Sequence, residues 1–350
     1  MGKSQDGGQG QLGVGIVGAG VVVQGIHAPI LQGLTDEFTV KAIWDSDPRR
    51  AEDLAAHLST RTAGSFEDLL ADPTVDVMLI CSPAPFHAPQ AIASMRAGKR
   101  AVLVEKPLCT TAEEADAIAQ TCAETGARLL VGSMHLFDPA WREVQRLLAE
   151  NPFEISSVRS NIVLPPNSRF EAWSFERTNE TQPAHVPLDD RHMMRLWLLE
   201  LAIHDLPLIR RLLPPNALPR VISARLLSPN GYAVIAKAGD ILIDLVAMMH
   251  DHWQPEWVLE AMGPRDQLEI AFTPSFVPAG SGRSRIIRKG SWVGSEPAFA
   301  NGYFAEWQAL GQAARDDDYR FANEEFVDDF RFALSIAEQA CALLNGGNAK

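Results

Sequence analysis

The sequence predicts an α/β chain in two parts: an N-terminal doubly wound parallel sheet of Rossmann type, then a C-terminal α+β part with a large, mostly antiparallel open sheet. Three observations carry this reading. Short apolar strand patterns alternate with helical patterns as far as residue 131, the rhythm of a parallel sheet. A glycine turn, Gly18-Ala19-Gly20, joins the first strand to the first helix. Beyond residue 135 the alternation ceases and strand patterns follow one another, separated by Gly, Asn and Asp turns.

Composition narrows the class. At 350 residues, 46% apolar and 21% charged, the chain can bury two cores and is not a disordered polymer. The formal net charge of −13 argues against nonspecific binding to nucleic acid or to an anionic membrane. No apolar run approaches the roughly 18 residues that span a bilayer. Residues 1–11 read as a disordered leader, polar and glycine-rich at the start, without the apolar core of a signal peptide. The four cysteines, Cys81, Cys109, Cys122 and Cys341, form no C-x-x-C pair, which suits reduced thiols in a cytoplasmic protein. His250-x-His252 is a lone pair that reads as structural, so no metal is expected.

Taken in order, residues 12–17 are an apolar strand and residues 21–31 a helix with Val22, Ile26 and Ile30 on one face. Glycines at 18 and 20 allow a tight turn and the approach of a diphosphate to the helix N-terminus, so Gly18, Ala19, Gly20, Val21 and Val22 are candidate cofactor contacts. The third glycine of the dinucleotide fingerprint is replaced by Val23. The next strand, 39–44, ends at Asp45, an acid placed to take ribose hydroxyls; the bland alternative is a turn-forming acid before Ser46-Asp47-Pro48. Helices over 49–58 and 66–70 follow, then a strand over 75–81 ending in Ser82-Pro83-Ala84-Pro85-Phe86-His87, whose prolines stop the sheet. A helix over 87–97 stops at Gly98.

Residues 101–104 are the most telling strand. Four apolar residues run straight into Glu105-Lys106-Pro107, and the proline ends the ladder. Lys106 therefore lies just past the carboxyl end of a strand, where open α/β sheets bind ligands; a solubilising strand-end charge is the alternative. Thr111 and Glu114 are spaced as a capping box for a helix over 112–125, which Gly126 ends before a strand over 128–131. In the second part, a helix from Asp138-Pro139 to about 149 precedes a strand over 155–164 and a polar stretch over 165–190. Residues 192–213 read as one long helix interrupted near Pro207. Strands at 221–227, 233–236, 241–249, 257–261 and 267–272 read as a meander. A loop with Gly280, Gly282, Gly290 and Gly294 leads to helices over 303–315 and 324–344.

The motifs resemble the Gfo/Idh/MocA family of pyridine-nucleotide-dependent oxidoreductases over roughly residues 12 to 345. The likeness is strongest in Val-Gly-Ala-Gly-x-x-x-Gln-x-Ile-His-Ala-Pro-Ile-Leu (17–31), Ala-Gly-Lys-Arg-Ala-Val-Leu-Val-Glu-Lys-Pro-Leu (97–108) and Ile-His-Asp-Leu-Pro-Leu-Ile-Arg-Arg-Leu-Leu (203–213). The resemblance implies a dinucleotide-binding domain over 12–134 and a substrate-binding and oligomerisation domain over 135–350, whose last helix returns to the first domain. It also implies a sugar, cyclitol or related polyol substrate and a homodimer or homotetramer. Lys106 would touch nicotinamide and substrate, with Ser82, Pro83, His87 and Glu105 beside the cofactor. His204 would move the proton, assisted by Glu200, and His135, His192 and Tyr303 would meet the substrate. The family's Thr-Pro-Asn is Ser82-Pro83-Ala84 here, a common arginine is His135, and the acid before the histidine is Glu200 instead of aspartate.

Three functional readings follow. The first is hydride transfer between NAD, with NADP the alternative cofactor, and a carbinol or ketone carbon. The others are a non-catalytic nucleotide- or sugar-sensing protein on the same fold, and reduction of an imine or conjugated ring. Asp45 points to NAD over NADP, with Arg49 and Arg50 as the counterargument. Glu200 and His204, four apart, are expected to share a helix face, the carboxylate favouring the imidazolium. Residues 241–249 are apolar on both faces apart from Asp244, so one face of that sheet is expected to pack against another subunit.

Overall fold

The computed structural model describes residues 10–165, 188–249, 254–277, 280–316 and 323–345. The leader over 1–9, most of the polar stretch (166–187), and His250 and His252 lie outside the described residues.

The first sheet has six parallel strands: β1 (Leu12–Val17), β2 (Phe38–Trp44), β3 (Arg61–Thr62), β4 (Val77–Ile80), β5 (Ala101–Val104) and β6 (Arg128–Val131). Their order is β3-β2-β1-β4-β5-β6. Every residue of β1, β4 and β5 is buried, because helices cover both faces and no polar alternation is needed. Strands are added outward in one direction from β1 to β3 and in the other from β4 to β6, and the crevice at the carboxyl ends of β1 and β4 is where such sheets bind ligands. Thr111 and Glu114 form the expected capping box, and Gly126 ends that helix at φ 70°. The helix after Gly20 differs from expectation. Residues Val23–His27 form a π-turn before α1 (Ala28–Gly33), which carries His27 inward toward β5.

The second sheet has eight strands, β7 (Ser157–Leu164), β8 (Pro219–Leu226), β9 (Gly231–Ala238), β10 (Ile241–Met249), β11 (Glu256–Met262), β12 (Asp266–Ala271), β13 (Arg283–Arg288) and β14 (Ser291–Ser295), in the order β14-β13-β12-β11-β7-β10-β9-β8. The expected meander is therefore broken. Strand β7 (Ser157–Leu164) lies between β10 (Ile241–Met249) and β11 (Glu256–Met262), parallel to the first and antiparallel to the second. No periodicity reveals that choice, because an inserted central strand has the same alternation as a sequential one. The glycine loop after residue 280 also contains a hairpin, β13 (Arg283–Arg288) and β14 (Ser291–Ser295). It turns at Lys289-Gly290, both at positive φ. Its strands are rich in Arg and Ser, so an apolar pattern does not mark them.

The long helix expected over 192–213 is three pieces: a helix over Asp190–Glu200, a 3-10 turn at Ala202–His204 and a helix over Leu206–Leu212. The break falls at Leu201, and Pro207 sits in the first turn of the last piece, which tolerates a residue without an N–H. The helix over Gly302–Arg315 lies against the first sheet although it follows the second: Trp307 meets Phe38 edge-on at 5.2 Å. The final helix, Asn323–Asn345, joins the two parts. Asn323 accepts from Leu129 N and donates to Ala127 O, while Gln339 accepts from Val221 N and donates to Pro219 O.

On the inner face of the second sheet, Ile162, Tyr232, Leu245, Trp257 and Leu259 are fully buried. Its outer face is mixed and less apolar than β10 alone suggests. Neighbouring strands contribute Arg159, paired with Asp244 at 3.0 Å, and Asn161, donating to Glu256 at 3.1 Å. Ile222, Ile235, Leu242 and Met262 remain exposed there among them.

Candidate functional site

A cleft of about 460 Å³ opens where β5 ends, between the two sheets. Glu105 and Lys106 form its floor, the helix over Asp190–Glu200 and His204 one wall, and Val22, Ser275, Phe276 and Tyr303 the other side. Lys106 Nζ donates to Glu200 Oε2 at 2.6 Å and to the Glu200 carbonyl at 3.1 Å. The carbonyl is free to accept because the helix ends there, leaving its last C=O groups without intrahelical partners.

Glu105 turns away from Lys106 Nζ and into the core. Trp307 donates its indole N–H to His27 Nδ1 at 3.0 Å. Indole nitrogen only donates, so the His27 proton sits on Nε2, which donates to Glu105 Oε1 at 2.9 Å. The other carboxylate oxygen of Glu105 accepts from the Lys106 backbone N–H at 3.0 Å. Burial pushes the Glu105 carboxyl up, but His27 and Lys106 outweigh it and hold it below the usual range. The group is a carboxylate that anchors the backbone beneath Lys106. Cys81, His27 and Glu105 bring potential ligand atoms within 4.8 Å of one another. With Nδ1 accepting and Nε2 donating, His27 has no lone pair left for a metal.

His204 is buried at 4% exposure, and its Nδ1 has no partner. Burial, then the charges of Lys106 and His135, hold it well below the ordinary 6.5, so it is neutral at pH 7. This corrects the expected Glu200–His204 pairing. The helix stops between them, the Glu200 carboxylate faces Lys106, and the imidazolium is disfavoured, not favoured.

The other expected residues divide. Tyr303 lines the cleft and donates to the Ser275 carbonyl at 2.7 Å. His135 stands behind the cleft wall: it is 3% exposed, stacked on Phe272 at 3.8 Å, with Nδ1 3.0 Å from Asp205. Asp205 also accepts from Ser160 at 2.6 Å and from Trp257. His192 is exposed at the start of its helix, 2.8 Å from Asp189, and does not line the cleft. His87 is buried, its ring nitrogens 2.7 Å from Pro107 O and 2.6 Å from Ser82 O, so it ties the Ser82-Pro83 loop to the turn after Lys106. Ser82 donates its hydroxyl to Gln90 at 2.6 Å.

At the glycine turn, Gly18 has φ 93°, and an added Cβ would lie 2.6 Å from the Cys81 carbonyl. An added Cβ at Gly20 would meet nothing within 4 Å, so open space lies before the helix N-terminus. Asp45 Oδ2 accepts from Ala19 N at 2.7 Å, and Oδ1 accepts from Asp47 N at 2.8 Å and from the Ser46 hydroxyl at 3.4 Å. Oδ2 keeps a lone pair for a ribose hydroxyl. Residues Gly18, Ala19, Gly20, Val21, Val22 and Asp45 thus fit a dinucleotide. Sequence reasoning missed Trp307, whose role depends on a contact 280 residues away in the chain. It also missed Glu306, 1% exposed with neither carboxyl oxygen partnered. Neither has a local signal.

A family model described as the Gfo/Idh/MocA oxidoreductase family, NAD-binding Rossmann fold, matches residues 12–133. Among curated proteins, inositol 2-dehydrogenase 3 of Saccharopolyspora erythraea is 35% identical over 136 residues, 39% of this chain and 40% of that protein. D-xylose 1-dehydrogenase (NADP(+)) 2 of Haloferax volcanii is 36% identical over 149 residues, 42% of this chain and 45% of that protein. The chain spans less than half the length of these curated relatives. Among solved structures, UDP-N-acetylglucosamine 3-dehydrogenase of Acidithiobacillus ferrooxidans superimposes with a TM-score of 0.72 at 20% identity, covering 95% of this chain and 99% of that one. A 3-ketoreductase of Actinomadura kijaniata, in complex with TDP-benzene and NADP, gives 0.70 at 21% identity, covering 94% and 96%. At these identities the structural likeness establishes the fold of the whole chain.

Proposed function

We propose that the chain, whose residues 12–133 match the Gfo/Idh/MocA oxidoreductase family model, is a member of that family and transfers a hydride between a nicotinamide dinucleotide and a carbinol or ketone carbon of a sugar, cyclitol or related polyol. One observation supports this above the others: an ammonium, Lys106, and a neutral imidazole, His204, line one cleft at the carboxyl end of β5. When bound, the nicotinamide dinucleotide supplies the two-electron exchange. Gly18 to Val22, Asp45, Ser82, Pro83, His87, Glu105 and Lys106 are the residues assigned to hold it, His87 and Ser82 by fixing the loop and not by contact.

The protein's share of the chemistry is orientation and the proton. Lys106, held by Glu200, donates a hydrogen bond to the substrate oxygen and stabilises negative charge developing there. His204 accepts the hydroxyl proton in oxidation and returns it in reduction, a task that needs the neutral ring. Tyr303 borders the same space. His135 acts from behind, setting His204 through its position.

Asp45 at the tip of β2 favours NAD over NADP, since a carboxylate repels a 2′-phosphate. The exposed outer face of the second sheet supports a homodimer or homotetramer. Four free cysteines support a cytoplasmic location; among the described residues no helix is long and apolar enough to cross a membrane. Following reduced-nicotinamide absorbance with panels of polyols and their ketones tests the activity. Cofactor binding without turnover of any panel member would favour a sensing role.

A further inference from the structure

The geometry points to a substrate whose reacting sugar or cyclitol ring carries an apolar aglycone, an inference that rests on the hydride-transfer reading above. The cleft is two-sided. Lys106, Glu200 and His204 converge at its floor, where a single carbinol or carbonyl would react. Away from that floor the described lining is apolar: Leu164, Met193, Leu196, Trp197, Met249 and Phe276. Leu196 is 45% exposed, an unusual state for a large aliphatic side chain pointing into a cavity and not onto open surface.

A bare polyol presents a hydroxyl on nearly every carbon, and each one drawn from water needs a partner or costs its desolvation. The described polar side chains of the cleft are few and sit on its floor and one side: Glu105, Lys106, Glu200 and His204, with Ser275 and Tyr303 across from them. Each Glu105 oxygen already accepts one hydrogen bond, from His27 and from the Lys106 backbone, and the Tyr303 proton is given to the Ser275 carbonyl. Trp197 alone would suit the C–H face of a bare sugar ring. Five further aliphatic and aromatic walls call for an apolar partner. An aryl or alkyl group on the ring covers them, while the hydroxyl beside Lys106 and His204 stays in place.

Calorimetric titration of the NAD⁺-loaded protein tests this with phenyl β-D-glucoside, phenyl β-D-galactoside and phenyl β-D-xyloside, each against its free sugar. At least one phenyl glycoside is expected to bind about tenfold or more tightly than its parent, the scale of filling an apolar subsite. Leu196→Asp is expected to bring that pair within about threefold while NAD⁺ affinity stays unchanged. Equal or tighter binding of the free sugars, binding of none of the glycosides, or an unaltered preference in Leu196→Asp would overturn the inference. Reduced-nicotinamide absorbance followed in parallel reads the activity separately. Preferential glycoside binding with no hydride transfer would leave the subsite standing and count against the enzyme reading; turnover of free sugars without preference would do the reverse.

Discussion

Lys106 Nζ lies 2.6 Å from Oε2 of Glu200, a residue 94 positions further along the chain, and this pair joins the Rossmann sheet to the wall of the cleft. Side chains there are partly exposed, 19% for Lys106 and 41% for Glu200, so the pair orients more than it stabilises. Lys106→Met keeps the stem and removes the donor. Turnover is expected to fall by roughly 10²-fold, the loss of one positioned donor, with cofactor affinity within severalfold. Glu200→Gln should cost less, about tenfold, since the backbone carbonyl still holds the ammonium. Steady-state kinetics beside cofactor titration decide it; unchanged turnover in Lys106→Met would reduce Lys106 to a strand-end charge.

His204 is held well below 6.5, first by burial and then by Lys106 and His135. Above about 6.5 the folded and unfolded states both keep it neutral. As pH falls below that value the unfolded chain takes up a proton that the folded chain refuses until its lower pKa, so stability declines across that window. His204→Asn should lessen this acid-side loss and depress kcat by 10² to 10⁴-fold, about the contribution of general acid–base catalysis. Chemical denaturation at pH 5 and 7.5 checks the first; a wild-type kcat would refute the proton role.

Glu306 is buried with both oxygens unpartnered, and burial, then Glu105, push its pKa well above 4.5. The folded state therefore keeps a proton that the unfolded chain releases. The resulting stability is complete below about 4.5 and declines as pH rises from there through the higher folded value. Glu306→Gln removes the linkage. Its Tm is expected to gain on the wild type between pH 5 and pH 9 by roughly 2–4 °C, the shift per kcal/mol for domains of this size. Parallel Tm–pH curves for the two proteins would be the contrary result.

Asp45 has one oxygen on Ala19 N and the other on Asp47 N. Replacing it with serine removes the charge and should raise the NADP(H):NAD(H) affinity ratio by about tenfold or more, since like-charge juxtaposition costs several kcal/mol. Fluorescence titration of both reduced cofactors measures the ratio. Tighter NADPH binding by the unmodified protein would contradict the NAD assignment.

The outer face of the second sheet exposes Ile222, Ile235 and Leu242 beside the Arg159–Asp244 pair. Light scattering at micromolar concentration is expected to give a dimer or tetramer. Leu242→Arg, on the exposed side of β10, should shift the mass toward the monomer while the far-UV circular dichroism is retained. A strict monomer in the unmodified protein would refute the assembly.

Much of the site was legible because its residues stand at element boundaries, where local chemistry is strong. Glu105-Lys106-Pro107 announces a strand end because proline cannot continue a ladder. The glycine turn announces a tight strand-to-helix turn because only glycine accepts φ 93° against the Cys81 carbonyl. The reading failed where a boundary was invisible. Between Glu200 and His204 the apolar periodicity runs on, yet the helix stops, and a pair expected to face one another points to different partners.

By itself the sequence determined five of the six strands of the first sheet with the helices between them, the place of Lys106 past β5, and the change to an antiparallel sheet, since each depends on periodicity and breakers within a few residues. The two-residue β3 (Arg61–Thr62) was too short to show. Only the tertiary structure decided that Glu200 belongs to Lys106, that Trp307 sets the tautomer of His27, that β7 enters the middle of its sheet, and that His135 and His192 stay out of the cleft. Those are long-range pairings. They depend on which buried polar group finds a partner once the chain is packed, a condition satisfied across the fold and not along the chain.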